Sequence, residues 1–128
     1  MCLYPNGKIK KAKKDIVCYK TMLNGRLRNT FHSIYWNTSE AWHIGSFKKG
    51  KSIIKRYDII DEIGCGYIHS YKDESDAKKS VDEFTVCMCV IPKNTYYYEG
   101  IHSDGKYGYA AKKMKILKVV RKGTYKRG

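Results

Sequence analysis

Acidic residues are scarce in this chain: 12 Asp and Glu stand against 26 Lys and Arg, a formal net charge of +14 over 128 residues. A surface this positive repels its own copies and attracts phosphate, so the expected partner is a polyanion or a phosphorylated small molecule. Proline is scarcer still, with Pro5 and Pro92 alone, and 42% of the residues are hydrophobic. That composition excludes intrinsic disorder despite the charge. No stretch approaches the roughly 18 apolar residues of a membrane span, and MCLYPNGKIKK at the start has no apolar run of the kind a secretory leader needs. The expectation is a soluble cytoplasmic protein without a membrane partner.

Catalytic and cofactor motifs are missing as well. Gly64-Cys65-Gly66 has neither the third glycine nor the following helix of a dinucleotide fingerprint, and no P-loop Lys-Ser or Lys-Thr is suitably spaced after a glycine. No cofactor is expected. Cys65 and His69 would share one face of a strand yet lie about 13 Å apart, too far for a nucleophile to share a proton with its base. Cys2 would become N-terminal if Met1 were removed, but it opens a basic segment with no recognisable oxyanion hole. The five cysteines (Cys2, Cys18, Cys65, Cys87, Cys89) are odd in number and three lie in strand-like apolar runs, which favours buried reduced thiols over disulfides. A zinc set of Cys65, His69, Cys87 and Cys89 is the alternative, although its ligands lack the usual loop spacing.

At this length one core can bury about two-thirds of the unfolded chain's surface, so a single domain is expected. Residues 1–14 carry five lysines and read as a flexible basic arm, residues 15–120 as the globular domain, and residues 121–128 as a basic tail. DIVCYKTM from Asp15 predicts the first strand, ended by the Asn24-Gly25 turn. Arg26 to Gly45 has poor periodicity, and Phe31, Tyr35, Trp36 and Trp42 would anchor a long loop or a short helix there. Ser52 to Ile63 fits one bent strand or two short ones, and Tyr67 to Tyr71 alternates as a strand. Asp73 to Phe84 begins with three acids and a serine and places Ala77, Val81 and Phe84 at helical spacing, predicting a helix. Thr85 to Ile91 predicts a central strand buried on both faces, Tyr96 to Gly100 a Tyr-rich segment after a turn at Asn94, and Met114 to Val120 the closing strand. The fold class expected is α+β: one mostly antiparallel or mixed sheet with one or two short helices.

Charge is segregated: acids concentrate in Asp58 to Glu62 and Asp73 to Glu83, while Lys48 to Arg56 and Lys112 to Arg127 are almost purely basic. Scattered lysines merely keep a small protein soluble, but segregation predicts a basic face. Tyr96, Tyr97 and Tyr98, with Lys93 before them and Lys106, Tyr107 and Tyr109 after, combine aromatic faces for bases with ammonium groups for phosphate. On a strand Tyr96 and Tyr98 share one face, Tyr97 and Glu99 the other.

In order, DIVCYK, GYIHSYKDESDAKKS, VCMCVIPKNTYYYEG and GYAAKKMKILKV resemble small uncharacterised proteins of phages that infect gut bacteria, over most of Lys13 to Val120. The resemblance implies expression in a host bacterial cytoplasm and carries no assigned chemistry. The same order is distantly similar to ADP-ribosyltransferase-like folds. In that comparison Cys18-Tyr19-Lys20 stands where a first-strand His or Arg is expected, and Glu99 is the candidate catalytic glutamate; loss of the first-strand residue points to binding without transfer. The reading that follows is a phage counter-defence protein that sequesters a phosphorylated nucleotide immune signal, such as a cyclic dinucleotide or a cyclic ADP-ribose isomer. Tyr19, Lys20, Tyr67, His69, Lys93, Tyr96, Tyr98 and Lys106 are its candidate pocket residues, and homo-oligomerisation would let pockets form between subunits. The alternatives are a basic nucleic-acid-binding module and an ADP-ribosyltransferase-like enzyme.

Overall fold

The computed structural model describes residues 3–34, 40–50, 54–57, 60–63, 67–80 and 82–126. Thirteen strands join one antiparallel sheet: β1 (Leu3–Pro5), β2 (Lys10–Lys11), β3 (Ile16–Asn24), β4 (Thr30–Ser33), β5 (Ala41–His43), β6 (Phe47–Lys49), β7 (Ile54–Tyr57), β8 (Ile60–Ile63), β9 (Ile68–Tyr71), β10 (Thr85–Ile91), β11 (Tyr96–His102), β12 (Tyr107–Ala111) and β13 (Lys113–Arg121). One short helix, α1 (Glu74–Lys78), lies between β9 and β10.

The α+β expectation is therefore wrong: the regular structure of the described residues is nearly all antiparallel strand with one five-residue helix, a small β domain. Two segments account for the difference. Arg26 to Gly45, expected as a loop or helix, supplies β4 and β5, which pair with β3 and with each other. Phe31 and Trp42 are buried there, directly opposite one another, while Tyr35 and Trp36 lie outside the described residues. The helix expected from Asp73 to Phe84 closes after five residues. Asp73 makes no side-chain cap bond, Ser80 turns its hydroxyl back on the Ala77 carbonyl, and the Glu83 and Phe84 carbonyls accept from Tyr125 N–H and the Arg121 guanidinium. A helix this short cannot offset its own nucleation, so the competing tertiary bonds win.

The closing residues are laced to the sheet. Gly123 N–H donates to the Thr85 hydroxyl, Asn24 donates to the Gly123 carbonyl, and Lys126 forms a parallel bridge with Asn24. At the other end, Leu3 and Ala12 are buried and β1 pairs with β11 and β8.

β10 sits between β3 and β13, as its unbroken apolar run leads one to expect. The strand pairs β10–β3, β3–β4, β4–β5 and β10–β13 form a circuit, which closes where Gly45 N–H, just past β5, donates to the Ile116 carbonyl of β13 at 2.9 Å. The circuit encloses the main core of Cys18, Met22, Phe31, Trp42, Cys87, Cys89, Met114 and Ile116, with Ile68, Ile91, Tyr109 and Ala111 continuing it. Met114 and Ile116 are fully buried, each contributing about 1.5–3 kcal/mol. A second cluster of Leu3, Tyr67 and Ala110 takes Tyr98, and a third places Tyr19 and Val120 with Tyr71, Ala77 of α1 and Val86. Among the described residues no helix is long and apolar enough to cross a membrane.

Candidate functional site

The structure brings some of the eight candidate pocket residues together and leaves others apart. Tyr19 packs in the cluster at α1, while Lys20, its neighbour on β3, points to the opposite face. Lys20 Nζ donates to the His69 carbonyl at 3.0 Å and lies 5.8 Å from the centroid of the Trp42 ring. His69 is buried and its Nδ1–H donates to the Tyr67 carbonyl at 3.0 Å. Tyr67 and Tyr98 make an edge-to-face pair with ring centres 5.8 Å apart, which commits both to packing. Lys93 is exposed in the β10–β11 turn, its backbone N–H held by the Asp15 carboxylate. Lys106 sits in the β11–β12 turn with Nζ 5.7 Å from the Tyr71 ring. Of the eight, Lys20, His69, Tyr67 and Tyr98 are linked in series, and Tyr96 stands apart on the surface.

Tyr96 belongs instead to a cationic tract that the strand register assembles. Tyr96 is 46% exposed, faces Lys11 across the β11–β2 pair, and has the Lys11 ammonium 5.9 Å from its ring centre. Its carbonyl accepts from Lys112 N–H, and the Lys112 carbonyl accepts from Gly50 N–H at the end of β6. From there β6 pairs with β13, setting Lys49 opposite Lys113 and Phe47 opposite Lys115. Residues directly opposed, and residues two apart, share a face, so Phe47, Lys49, Lys113 and Lys115 form one group. Phe47 is 47% exposed, and the ammonium groups of Lys113 and Lys115 lie 4.4 and 4.8 Å from its ring centre. Among the described residues Lys11, Lys49, Lys112, Lys113 and Lys115 form no ion pair with a carboxylate. Lys49 and Lys113 are like charges in direct cross-strand opposition, an arrangement that costs roughly 0.2–1 kcal/mol.

Several other lysines do have a carboxylate partner. Glu99 is bracketed by Lys10 at 3.6 Å and Lys72 at 3.5 Å, and Glu40 holds Lys48. Glu99 is paired across β11 and β12 with Tyr109, whose phenol is pushed up to about 12 by burial, with the Glu99 charge adding to the effect. A carboxylate held by two ammonium groups is well placed as a structural anion. Beyond it on the same face, Tyr4, Ile101 and Tyr107 form an exposed row across β1, β11 and β12.

The interior carries titratable groups too. Cys18, Cys87 and Cys89 are free and buried; desolvation pushes the first two up to about 12 and raises the third well above its ordinary value, so all three are neutral thiols at neutral pH. His102 is buried, donates Nε2–H to the Ser70 carbonyl at 2.6 Å, and lies 5.4 Å from the Tyr71 ring. Burial holds its pKa below the ordinary value, against the opposing Ser70 bond. Gly108 makes this possible, because a Cβ there would collide with His102 Nε2 and the Ser70 carbonyl. Among the described residues no cluster of three or more His, Cys, Asp or Glu is arranged to hold a metal, and Cys2 and Cys65 lie outside them.

Phe47, Lys49, Lys113 and Lys115 were not singled out by sequence, although both of their segments read as basic. Their common signal is the alternation in FKK and KMK, which becomes meaningful only once register places the two strands side by side. Comparison with family models, with curated proteins and with solved structures finds nothing that matches this chain.

Proposed function

We propose that the protein is a nucleic-acid-binding module that takes a single strand along the tract from Lys11 and Tyr96 to Phe47 and Lys115. The observation that carries this reading is the Lys49–Lys113 opposition beside a half-exposed phenylalanine, within a group of lysines that no carboxylate among the described residues neutralises. Phosphates relieve the repulsion, and bases stack on Phe47 and Tyr96 irrespective of sequence. The lysine ammonium groups serve as point charges, and no group transfer is required of any residue.

The test is fluorescence anisotropy of a labelled single-stranded oligonucleotide across salt concentrations. Five lysine contacts predict a slope of log K against log salt of about −3.5. No binding at low salt, or binding indifferent to salt, would end the proposal.

A second reading, sequestration of a phosphorylated nucleotide signal in phage counter-defence, draws support from the exposed Tyr4–Ile101–Tyr107 row, which Lys72 and Lys106 adjoin in sequence around β9 and β12. Such a row has room for a base, with ammonium groups nearby for its phosphates. A thermal-shift panel of cyclic dinucleotides and ADP-ribose isomers at high salt separates the two, because a native-state ligand raises the melting temperature by mass action. A salt-resistant shift with one small nucleotide favours sequestration. A shift confined to oligonucleotides and lost at high salt favours the tract.

A further inference from the structure

The outer face of β3, β10 and β13 is covered at one end by α1, where Ala77 packs with Val86, Tyr19 and Val120. Alternation carries that face along the strands to Val17 on β3 and to Met88 and Val90 on β10. At the far end one row runs in register across four strands: Val17 stands opposite Val90, Val90 opposite Lys115, and Lys115 opposite Phe47. Val90 is buried between its neighbours, but Val17 is 46% exposed at one end of the row and Phe47 is half-exposed at the other. A register shift in the β10–β13 pair, between Met88 and Cys89, leaves Leu117 without a partner on β10, and it stands 40% exposed two residues beyond Lys115.

Three exposed apolar side chains on one sheet face call for an apolar cover. Bases do not explain all three, because Phe47 offers a ring to stack on whereas Val17 and Leu117 have no π-face. The border is cationic. Lys49, Lys113, Lys115 and Lys118 line it, and among the described residues none of them pairs with a carboxylate. A second copy of this chain would bring another +14 to the contact. The cover that fits both features is apolar on one side and acidic at its edges. Three strand spacings set Val17 and Phe47 about 14 Å apart. A helix with its side chains is about 10–12 Å across, and α1 already lies on the other end of the same face.

We propose that the open end of this face docks an acidic amphipathic helix of a partner protein, running along the strands between Val17 and Phe47. Its apolar stripe covers Val17, Val90 and Leu117, while its Asp and Glu meet Lys113, Lys115 and Lys118. The lysine stems lengthen the apolar contact and their ammonium groups reach the edges of the helix. The surface shares Phe47, Lys113 and Lys115 with the tract, so a helix and a single strand exclude one another there. It does not rest on strand binding, because Val17, Leu117 and Lys118 lie outside the tract.

The probe is a labelled peptide of about 18 residues, five turns of helix, with Leu at i, i+3, i+4 and i+7 and Glu and Gln elsewhere. Its control is the same composition in shuffled order. Anisotropy with the full chain should show the patterned peptide binding at least about tenfold more tightly than the shuffled one. The Val17→Thr/Leu117→Thr variant keeps β-branched or strand-compatible side chains, so its melting curve should match the parent's, and it should abolish that preference. Its affinity for a single-stranded oligonucleotide should not change. Equal binding of the two peptides to the parent would mean that charge alone is read, and overturns the proposal. So does a patterned-peptide affinity that the variant leaves intact, or an oligonucleotide loss as large as the peptide's. Vesicles of phosphatidylserine and phosphatidylcholine test a membrane in place of the helix: vesicle binding that the variant weakens, with no preference between the peptides, overturns it as well.

Discussion

Two stretches of the same sheet carry lysines at similar density and treat them oppositely. Around Glu99, Lys10 and Lys72 share one carboxylate and their charge is largely spent inside the fold. Along β6 and β13, Lys49 faces Lys113 and the ammonium groups of Lys113 and Lys115 crowd one phenyl ring, with no acid among the described residues paired to them. Net charge is blind to this difference. A polyanion displaces counterions from the second group, but at the first it must compete with Glu99. Binding should therefore follow the neutralisation state of each lysine rather than the total of +14.

The sharpest way to break the comparison is to delete each group in turn. Replacing Lys49, Lys113 and Lys115 together by Ala removes three phosphate contacts; at 0.1 M salt this should weaken single-strand binding by about a hundredfold and shallow the salt slope by about 2. The Lys10→Ala/Lys72→Ala double variant should stay within about threefold of the parent. Equal losses from the two, read by anisotropy, would mean that net charge alone governs binding. Next in size is Phe47→Ala, which should cost about tenfold at constant salt slope, since base stacking on an aromatic contributes about 1–3 kcal/mol and carries no counterions. A change in slope with that variant would show that the ring only positions the lysines.

The comparison also needs a pH window in which the fold itself is constant. His102 is buried with a pKa below 6.5, so between the folded and unfolded values the unfolded chain binds more protons. Stability is complete above about pH 6.5 and declines as the pH falls through the window below it. Urea melts from pH 7.5 to pH 5 should show this decline, with a smaller slope in His102→Gln. A flat profile in the parent would mean that His102 titrates as it does in the unfolded chain.

How much of this was legible in the sequence differs by element. β10 could be read directly, because an apolar run ended by Pro92 fits a buried strand, whereas β13 was favoured as a strand although Ala110, Met114 and Leu117 also fall at helical spacing. The helix could not: its acids and Ala77 are good local signals, but what ends it after Lys78 is a set of bonds from Arg121 and Tyr125, more than 35 residues away. β4 and β5 were missed for a related reason. Three- and four-residue strands give too few alternations to register as a period, and their pairing with β3 supplies what propensity lacks. The grouping of the candidate site residues is decided at the same step. Residue type was sufficient to pick Tyr and Lys, but Tyr67 and Tyr98 were claimed by packing, and register alone brings Phe47 against Lys115.

The smallest expected effect discriminates best, because its sign differs between a binding surface and a merely solubilising one. Lys113→Glu turns the opposition with Lys49 into an attraction, so stability should rise by about 0.2–1 kcal/mol in urea melts at low salt, fading as salt screens the pair. In the same protein, single-strand affinity should fall, since one phosphate contact becomes a repulsion. A residue selected for folding would lose both together. Gain in one with loss in the other would place the cost of Lys113 with its ligand, whereas unchanged stability would mean that the two ammonium groups avoid each other by leaning onto Phe47, leaving the ring rather than the like-charge pair as the feature that needs a partner to explain it.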